Sequence, residues 1–180
     1  MKKADVNVTL RPLEDDDRDC FIKDNQYAFL YGATREFGVR DEHFEEEGEI
    51  ISADTIKESI GREGAEAYRI ILDGEKVGGL VLNVDKTAER GDLELLFVSP
   101  DVHSKGIGYA ALCEVEKLHP EIRVWETCTP YFEKRNIHFY VNRCGFHIVE
   151  FFNARHPDPH SHEPDGEDFD GMFRFEKVMF

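Results

Sequence analysis

The chain has 180 residues, 41% of them hydrophobic, enough for one domain with a sizeable core and too apolar for a wholly disordered chain. A formal net charge of −16 argues against general nucleic-acid binding, which draws most of its affinity from a basic footprint, and against adhesion to anionic membranes. No run approaches the roughly 18 apolar residues of a membrane span, and no apolar stretch follows Lys2 and Lys3 as a secretory signal requires, so a soluble cytoplasmic protein is expected.

In chain order, Val6 to Leu10 alternates and reads as a first strand. The acidic run Glu14 to Asp19 opens a helix whose apolar face continues through Phe21, Ile22, Tyr27 and Ala28. An acidic patch, Asp41 to Glu49, reads as a solvated loop. Ser52, with Thr55 to Ile60, predicts a short capped helix ending near Gly61 and Gly64. Ala67 to Leu72 and Val77 to Val84 are strands joined by Asp73-Gly74, a hairpin signal, and Asp92 to Val98 is a third strand. Gly106 to His119 is a helix stopped by Pro120, Ile122 to Glu126 a strand, and Phe132 to Asn142 a helix followed by Gly145 as its C-terminal cap. Phe146 to Phe152 and Phe173 to Met179 are the last two strands, and the irregular stretch Asn153 to Gly171 lies between them. The pattern is antiparallel early and α/β later.

The segment from Asp92 to Leu112 carries the chemistry. A strand runs into a loop, and Gly106 and Gly108 then open a helix. Such a start presents unpaired N–H groups and the positive end of the helix dipole, which suits a phosphate. Glycines let a pyrophosphate approach the main chain, and Lys105 adds a positive charge. The same glycines fit the dinucleotide pattern G-x-G-x-x-A through Ala111, with Glu126 about 20 residues on as a ribose-binding acid. Against a nicotinamide-dependent oxidoreductase stand the loop Ser99 to Lys105, which separates strand from glycine, and the two strands left after Glu126, too few for a second doubly wound half.

Leu96-Phe-Val-Ser-Pro100 followed by His103-Ser-Lys-Gly-Ile-Gly108 resembles motif A of the GNAT acyltransferase superfamily, and Asn136 to Phe146 resembles its motif B. The resemblance is close from Asp92 to Phe152 and looser over most of the chain. His103 stands where motif A usually has Gln or Arg, a position that acts largely through its backbone amide. Tyr140 stands five residues before Gly145, where the family usually places its tyrosine four before. The resemblance implies a mixed α/β single domain over residues 1–180, with a twisted, largely antiparallel sheet of six or seven strands flanked by helices. It also implies an N-acetyltransferase using acetyl-CoA and an amine acceptor. Phe97 and Val98 would pair through their backbone with the pantetheine arm, and the amides of His103, Ser104, Lys105, Gly106, Ile107, Gly108 and Tyr109 would hold the pyrophosphate. Asn136 would contact the cofactor arm, and Tyr140 would stand near the thioester sulfur.

Acyl transfer from a thioester to an amine requires a neutral amine, a polarised carbonyl and a protonated thiolate. The N–H of Val98 is placed to polarise the carbonyl, and Tyr140 has the donor hydroxyl of a general acid. Glu94 shares a strand face with Asp92, Leu96 and Val98, and is the first choice as base; the alternative is that it merely pairs with a basic side chain on a neighbouring strand. Tyr140 has its own alternative, an aromatic ring packed beneath its helix.

Cys20, Cys113, Cys128 and Cys144 form no CxxC pair and read as ordinary reduced thiols. His156, His160 and His162 cluster with Asp158, Glu163 and Asp165, but three prolines and irregular spacing favour a solvated loop, so no metal is expected. The runner-up function is a non-catalytic acyl-CoA-binding sensor or subunit. A small-molecule acceptor is favoured over a protein, and a homodimer through the late strands is compatible with the sequence.

Overall fold

The computed structural model describes residues 6–33, 49–102, 105–159 and 171–180. Among the described residues, seven strands, β1 (Thr9–Pro12), β2 (Ala65–Leu72), β3 (Glu75–Asp85), β4 (Arg90–Val98), β5 (Val124–Pro130), β6 (His147–Phe152) and β7 (Met172–Val178), are joined by four α-helices. The helices are α1 (Arg18–Tyr31), α2 (Ala53–Gly61), α3 (Ile107–Leu118) and the short α4 (Lys134–His138). The strands hydrogen-bond in the order β1-β2-β3-β4-β5-β7-β6. The β1–β2, β2–β3, β5–β7 and β6–β7 pairs are antiparallel, and β4 and β5 run parallel. This is the mixed α/β, largely antiparallel sheet expected, with seven strands. It is not the parallel sheet of a doubly wound dinucleotide fold.

The chain divides into two compact units, Met1–Val84 with Leu93–Pro120, and Asp85–Asp92 with Glu121–Phe180. In the first, β2 and β3 meet at a two-residue hairpin in which Asp73 (φ 52) and Gly74 (φ 85) both take the left-handed conformation that suits the strand twist. The middle of β3, Val77 to Leu82, is buried throughout, as befits a strand covered on both faces. In α1, Phe21, Ile22, Asn25 and Ala28 form one inward stripe. Phe21, Ile22 and Ala28 pack with Ile51, Ile56, Val81, Leu95 and Phe97 into a core. The acidic run before α1 has a second use. Asp17 makes no capping hydrogen bond; its carboxylate takes Arg69 of β2 in a two-pronged pair of 2.7 and 3.1 Å, and Asp24 takes the same guanidinium at 2.8 Å. Arg69 is buried, so these acids are what make its burial tolerable.

In the second unit β7 lies between β5 and β6, in register with β5 from Val124↔Val178 to Pro130↔Met172. A ladder of Arg90, Glu126, Arg174, Glu176 and Glu150 links β4, β5, β7 and β6, with each arginine contacting at least two carboxylates.

Several boundaries differ from expectation, three of them for reasons the hydrogen bonding makes plain. β1 covers Thr9–Pro12 rather than Val6–Leu10, because its register against β2 runs from Thr9↔Ile71 to Pro12↔Tyr68; a proline is tolerated at the end of an edge strand. β5 runs on to Pro130 because β7 pairs with it that far. The helix expected over Phe132–Asn142 is α-helical only in α4 and continues as a π turn over Phe139–Arg143.

Candidate active site

In the first unit, β4 alternates: Leu93, Leu95 and Phe97 are buried, and Glu94, Leu96 and Val98 are half-buried on the opposite face. The strand's end is fixed by three contacts. The Phe97 ring stands edge-on to Phe21 at 5.1 Å, the Ser99 amide donates to the Val77 carbonyl at 2.8 Å, and Gly78 packs its bare Cα against the Phe97 carbonyl. A short turn over Pro100–Val102 follows. His103 and Ser104 lie outside the described residues.

Lys105 is exposed, and Gly106 caps α3 with φ 81, a left-handed conformation that a glycine adopts without strain. Ile107, Gly108 and Tyr109 form the first turn of α3, the part of a helix whose main-chain amides point towards an anion at its N-terminus. The buried positions Ile107, Ala111, Leu112 and Val115 seat the helix, so the Ile107 side chain faces the core and only its backbone is available to a ligand. The first turn carries no acidic side chain. A phosphate would meet glycine, main-chain amides and the dipole's positive end there, so the residues fit the anion that the sequence pattern suggested.

Glu94 is the carboxylate of this unit nearest in sequence to that turn on the same strand. Its side chain is only 8% exposed. The Arg62 guanidinium donates to its Oε1, while Oε2 is buried with no hydrogen-bond partner. Burial pushes Glu94 above the ordinary carboxylate range, against the opposing pull of the Arg62 charge and a hydrogen bond from Ser59. The basic partner is therefore real, but it comes from the end of α2 rather than from a neighbouring strand. Ser59 and Arg62 escaped the sequence reading: a contact across 32 positions leaves no local pattern.

In the second unit, Asn136 is exposed on α4 and its Nδ2 donates to Thr129 Oγ1 at 3.2 Å. Tyr140 lies in the next turn and is buried among Phe139, Phe146 and Phe175, with ring centroids 5.2, 5.6 and 5.6 Å away. Its hydroxyl shares a hydrogen bond with Thr127, and desolvation holds the phenol far above its usual pKa, so it keeps its proton. The helix widens beside it. The Cys144 amide reaches back five residues to the Phe139 carbonyl at 3.0 Å, and the Phe146 amide reaches the Tyr140 carbonyl at 3.0 Å past Gly145, whose φ is 79.

Other sequence candidates take structural places. Cys128 lies at the surface, yet desolvation by the surrounding chain and the nearby Asp92 carboxylate push its thiol up to about 12, far from a thiolate nucleophile. Cys144 is buried. Glu126, the ribose-binding candidate, is held by Arg90 at 2.6 Å and by Arg174. His156 bonds Glu150 at 2.7 Å and stacks on Phe152. His160, His162, Glu163 and Asp165 lie outside the described residues, as do 41–48 of the acidic patch.

Comparison with known proteins bears on the family and the fold. The family model described as "Acetyltransferase (GNAT) family" matches residues 14–146. A Bacillus subtilis (strain 168) chain known as uncharacterized protein YrkN is 42% identical over 183 residues, covering 98% of this chain and 96% of that one. Among solved structures, an acetyltransferase from Thermus thermophilus superposes with TM-score 0.67 at 16% identity, over 96% of this chain and 97% of that one. The PaiA N-acetyltransferase of Thermoplasma acidophilum, solved in complex with coenzyme A, gives TM-score 0.66 at 18% identity, over 96% and 99% of the two chains. At such identities the solved structures establish the fold. The family match extends over both units and contains Glu94, the glycine-opened start of α3, Asn136 and Tyr140, and by it this chain belongs to the GNAT family of acetyltransferases.

Proposed function

We propose that this acyltransferase moves the acetyl group of acetyl-CoA to a primary amine, with a small-molecule acceptor favoured over a protein. The observation that carries the reading is a buried carboxylate with one bare oxygen, Glu94, on the strand that leads into the glycine-opened α3. Acetyl-CoA supplies the activated acyl group. The Phe97 and Val98 backbone aligns the pantetheine arm in the manner of an added strand. The amides of residues 103–109 hold the pyrophosphate, with Lys105 beside them. Asn136 contacts the cofactor arm.

Glu94, directly or through a water, takes a proton from the ammonium of the acceptor, and the freed amine forms the new C–N bond at the thioester carbonyl. The Val98 N–H stabilises the developing oxyanion. As the C–S bond breaks, Tyr140 gives its proton to the leaving thiolate, and the second proton, lost by the nitrogen as the amide forms, passes through solvent to restore the tyrosine. Burial suits both side chains to these tasks: it raises Glu94 towards neutrality, where a base is effective, and it keeps Tyr140 protonated at rest.

Thermal unfolding in parallel with acetyl-CoA, CoA and NADH tests the cofactor. A ligand at 100 times its dissociation constant stabilises by about 2.7 kcal/mol. A rise with acetyl-CoA and CoA but not NADH is expected, and a rise with NADH alone refutes the reading. Thiol release from acetyl-CoA is then followed over a panel of primary amines, including spermidine, lysine and an aminoglycoside. Cofactor binding without turnover of any amine would make the chain an acyl-CoA-binding module.

A further inference from the structure

The Glu94 carboxylate is asymmetric: Oε1 takes Arg62, and Oε2 is buried and bare. A buried carboxylate oxygen with no donor is unfavourable, and a native fold rarely leaves one without a reason. We propose that Arg62, assisted by Ser59, is the positioning residue of Glu94: by fixing Oε1 it holds the carboxylate in one orientation, with Oε2 as its unpaired oxygen. The inference rests on Glu94 being the base and adds what orients it.

The geometry of α2 explains why the pair can do this. Ile56 and Ser59 are three residues apart and both buried, so the Ser59 hydroxyl lies on the inward face. Arg62 is the first residue beyond the helix and is extended (φ −63, ψ 143), at the end where the helix dipole favours a cation. The Ser52 hydroxyl caps the other end by accepting from the Thr55 amide at 3.1 Å, which fixes where the helix starts. Arg62 acts on Glu94 through its charge and its hydrogen bond to Oε1, Ser59 through a hydrogen bond, and Leu96 and Val98 farther along the same strand face are apolar. Arg62 is itself 46% exposed, so water screens its pull. Desolvation therefore outweighs it, and the carboxylate stays basic while remaining oriented.

The test is a titration of the full chain labelled with carbon-13 at the glutamate carboxyls, with Glu94→Gln used for assignment. Glu94 should titrate above the ordinary glutamate value of about 4.3. In Arg62→Met its midpoint should rise further, by roughly half to one pH unit, and Arg62→Lys should recover at least half of that rise. Ser59→Ala should give a smaller rise. A midpoint in Arg62→Met that overlays the wild type, with an unchanged thermal midpoint, overturns the positioning role. The base reading fails separately: undiminished thiol release by Glu94→Gln, with the amine found in the screen, removes Glu94 from the chemistry and the positioning role with it. Loss of activity in Glu94→Gln beside an unmoved Arg62→Met midpoint overturns Arg62 alone.

Discussion

Gly78 and Gly79 are adjacent on β3 and face opposite sides, which makes them a matched pair for testing what the end of β4 does. A Cβ at Gly78 would stand well inside contact distance of the Phe97 carbonyl oxygen and 3.1 Å from the Val98 Cα, so β4 itself must move. A Cβ at Gly79 would meet the Phe21 ring and lie 2.7 and 2.9 Å from two atoms of the Phe97 ring, so side chains absorb the intrusion. Overpacking of this kind costs about 1–3 kcal/mol in either case. At about 2–4 °C per kcal/mol for a chain of this length, each alanine variant should melt roughly 2–12 °C lower. Their effects on ligand binding should differ. Gly78→Ala displaces the Phe97 and Val98 backbone that is proposed to align the cofactor arm, and losing one such hydrogen bond weakens binding by about tenfold. Gly79→Ala should leave it within about twofold, a loss smaller than one hydrogen bond. Calorimetric titration with CoA, below the melting range of both variants, measures this directly. Equal affinities in the two variants would refute the assignment of this backbone to the cofactor.

Tyr140→Phe should slow acetyl transfer by about two orders of magnitude with CoA affinity little changed, as loss of a general acid does; an unchanged rate removes Tyr140 from the chemistry. Gly108→Val places a branched side chain on the first turn of α3 and should weaken CoA binding by at least about tenfold; calorimetry showing full affinity would mean that the pyrophosphate is held elsewhere. Asp17→Asn removes the charge that faces Arg69 and Lys76 and one of the two carboxylate oxygens that accept from Arg69, and should cost about 3 kcal/mol in urea unfolding at pH 7. Its hydrogen bond with Arg69 holds the Asp17 carboxyl below its ordinary pKa. The contribution is therefore fully present above the unfolded value of about 3.9 and is lost as pH falls through the lower folded value. Wild type and variant should converge once the pH is below that lowered folded value; a gap that persists there would show that the effect is packing rather than charge.

Legibility in the sequence followed the range of the interactions. The β2–β3 hairpin, the Ser52 cap, the alternation of β4 and the start of α3 were all readable, because each depends on residues a few positions apart. The register of β1 was not, since it is set by β2 more than fifty positions later. The run before α1 showed its acidity but not its purpose: Asp17 serves a buried arginine 52 positions away rather than the helix end. The same limit hid Ser59 and Arg62. Glu94 stood out as a candidate base from its strand face alone, but its orientation depends on α2, which by sequence was a short helix with no feature pointing to chemistry.

The one-residue mismatch in the second motif shows how a local irregularity can preserve a long-range arrangement. In a regular α-helix each residue turns the chain by about 100°. An extra residue between the tyrosine and the Gly-Phe pair would therefore rotate the ring by that angle relative to Phe146, or drive Phe146 out of the core. Neither has happened: Tyr140 and Phe146 are both buried, with their rings 5.6 Å apart. The additional residue is taken up by the π turn, in which the Cys144 amide bonds five residues back to Phe139 instead of four. Gly145 then reverses the chain in a left-handed conformation, so that Phe146 returns to the same aromatic cluster. A wider turn has poorer hydrogen-bond geometry than an α turn, and burial of three aromatic rings offsets that cost. The spacing of the motif has changed by one residue while the tyrosine's surroundings, including its hydrogen bond with Thr127, are set by packing that the insertion leaves intact.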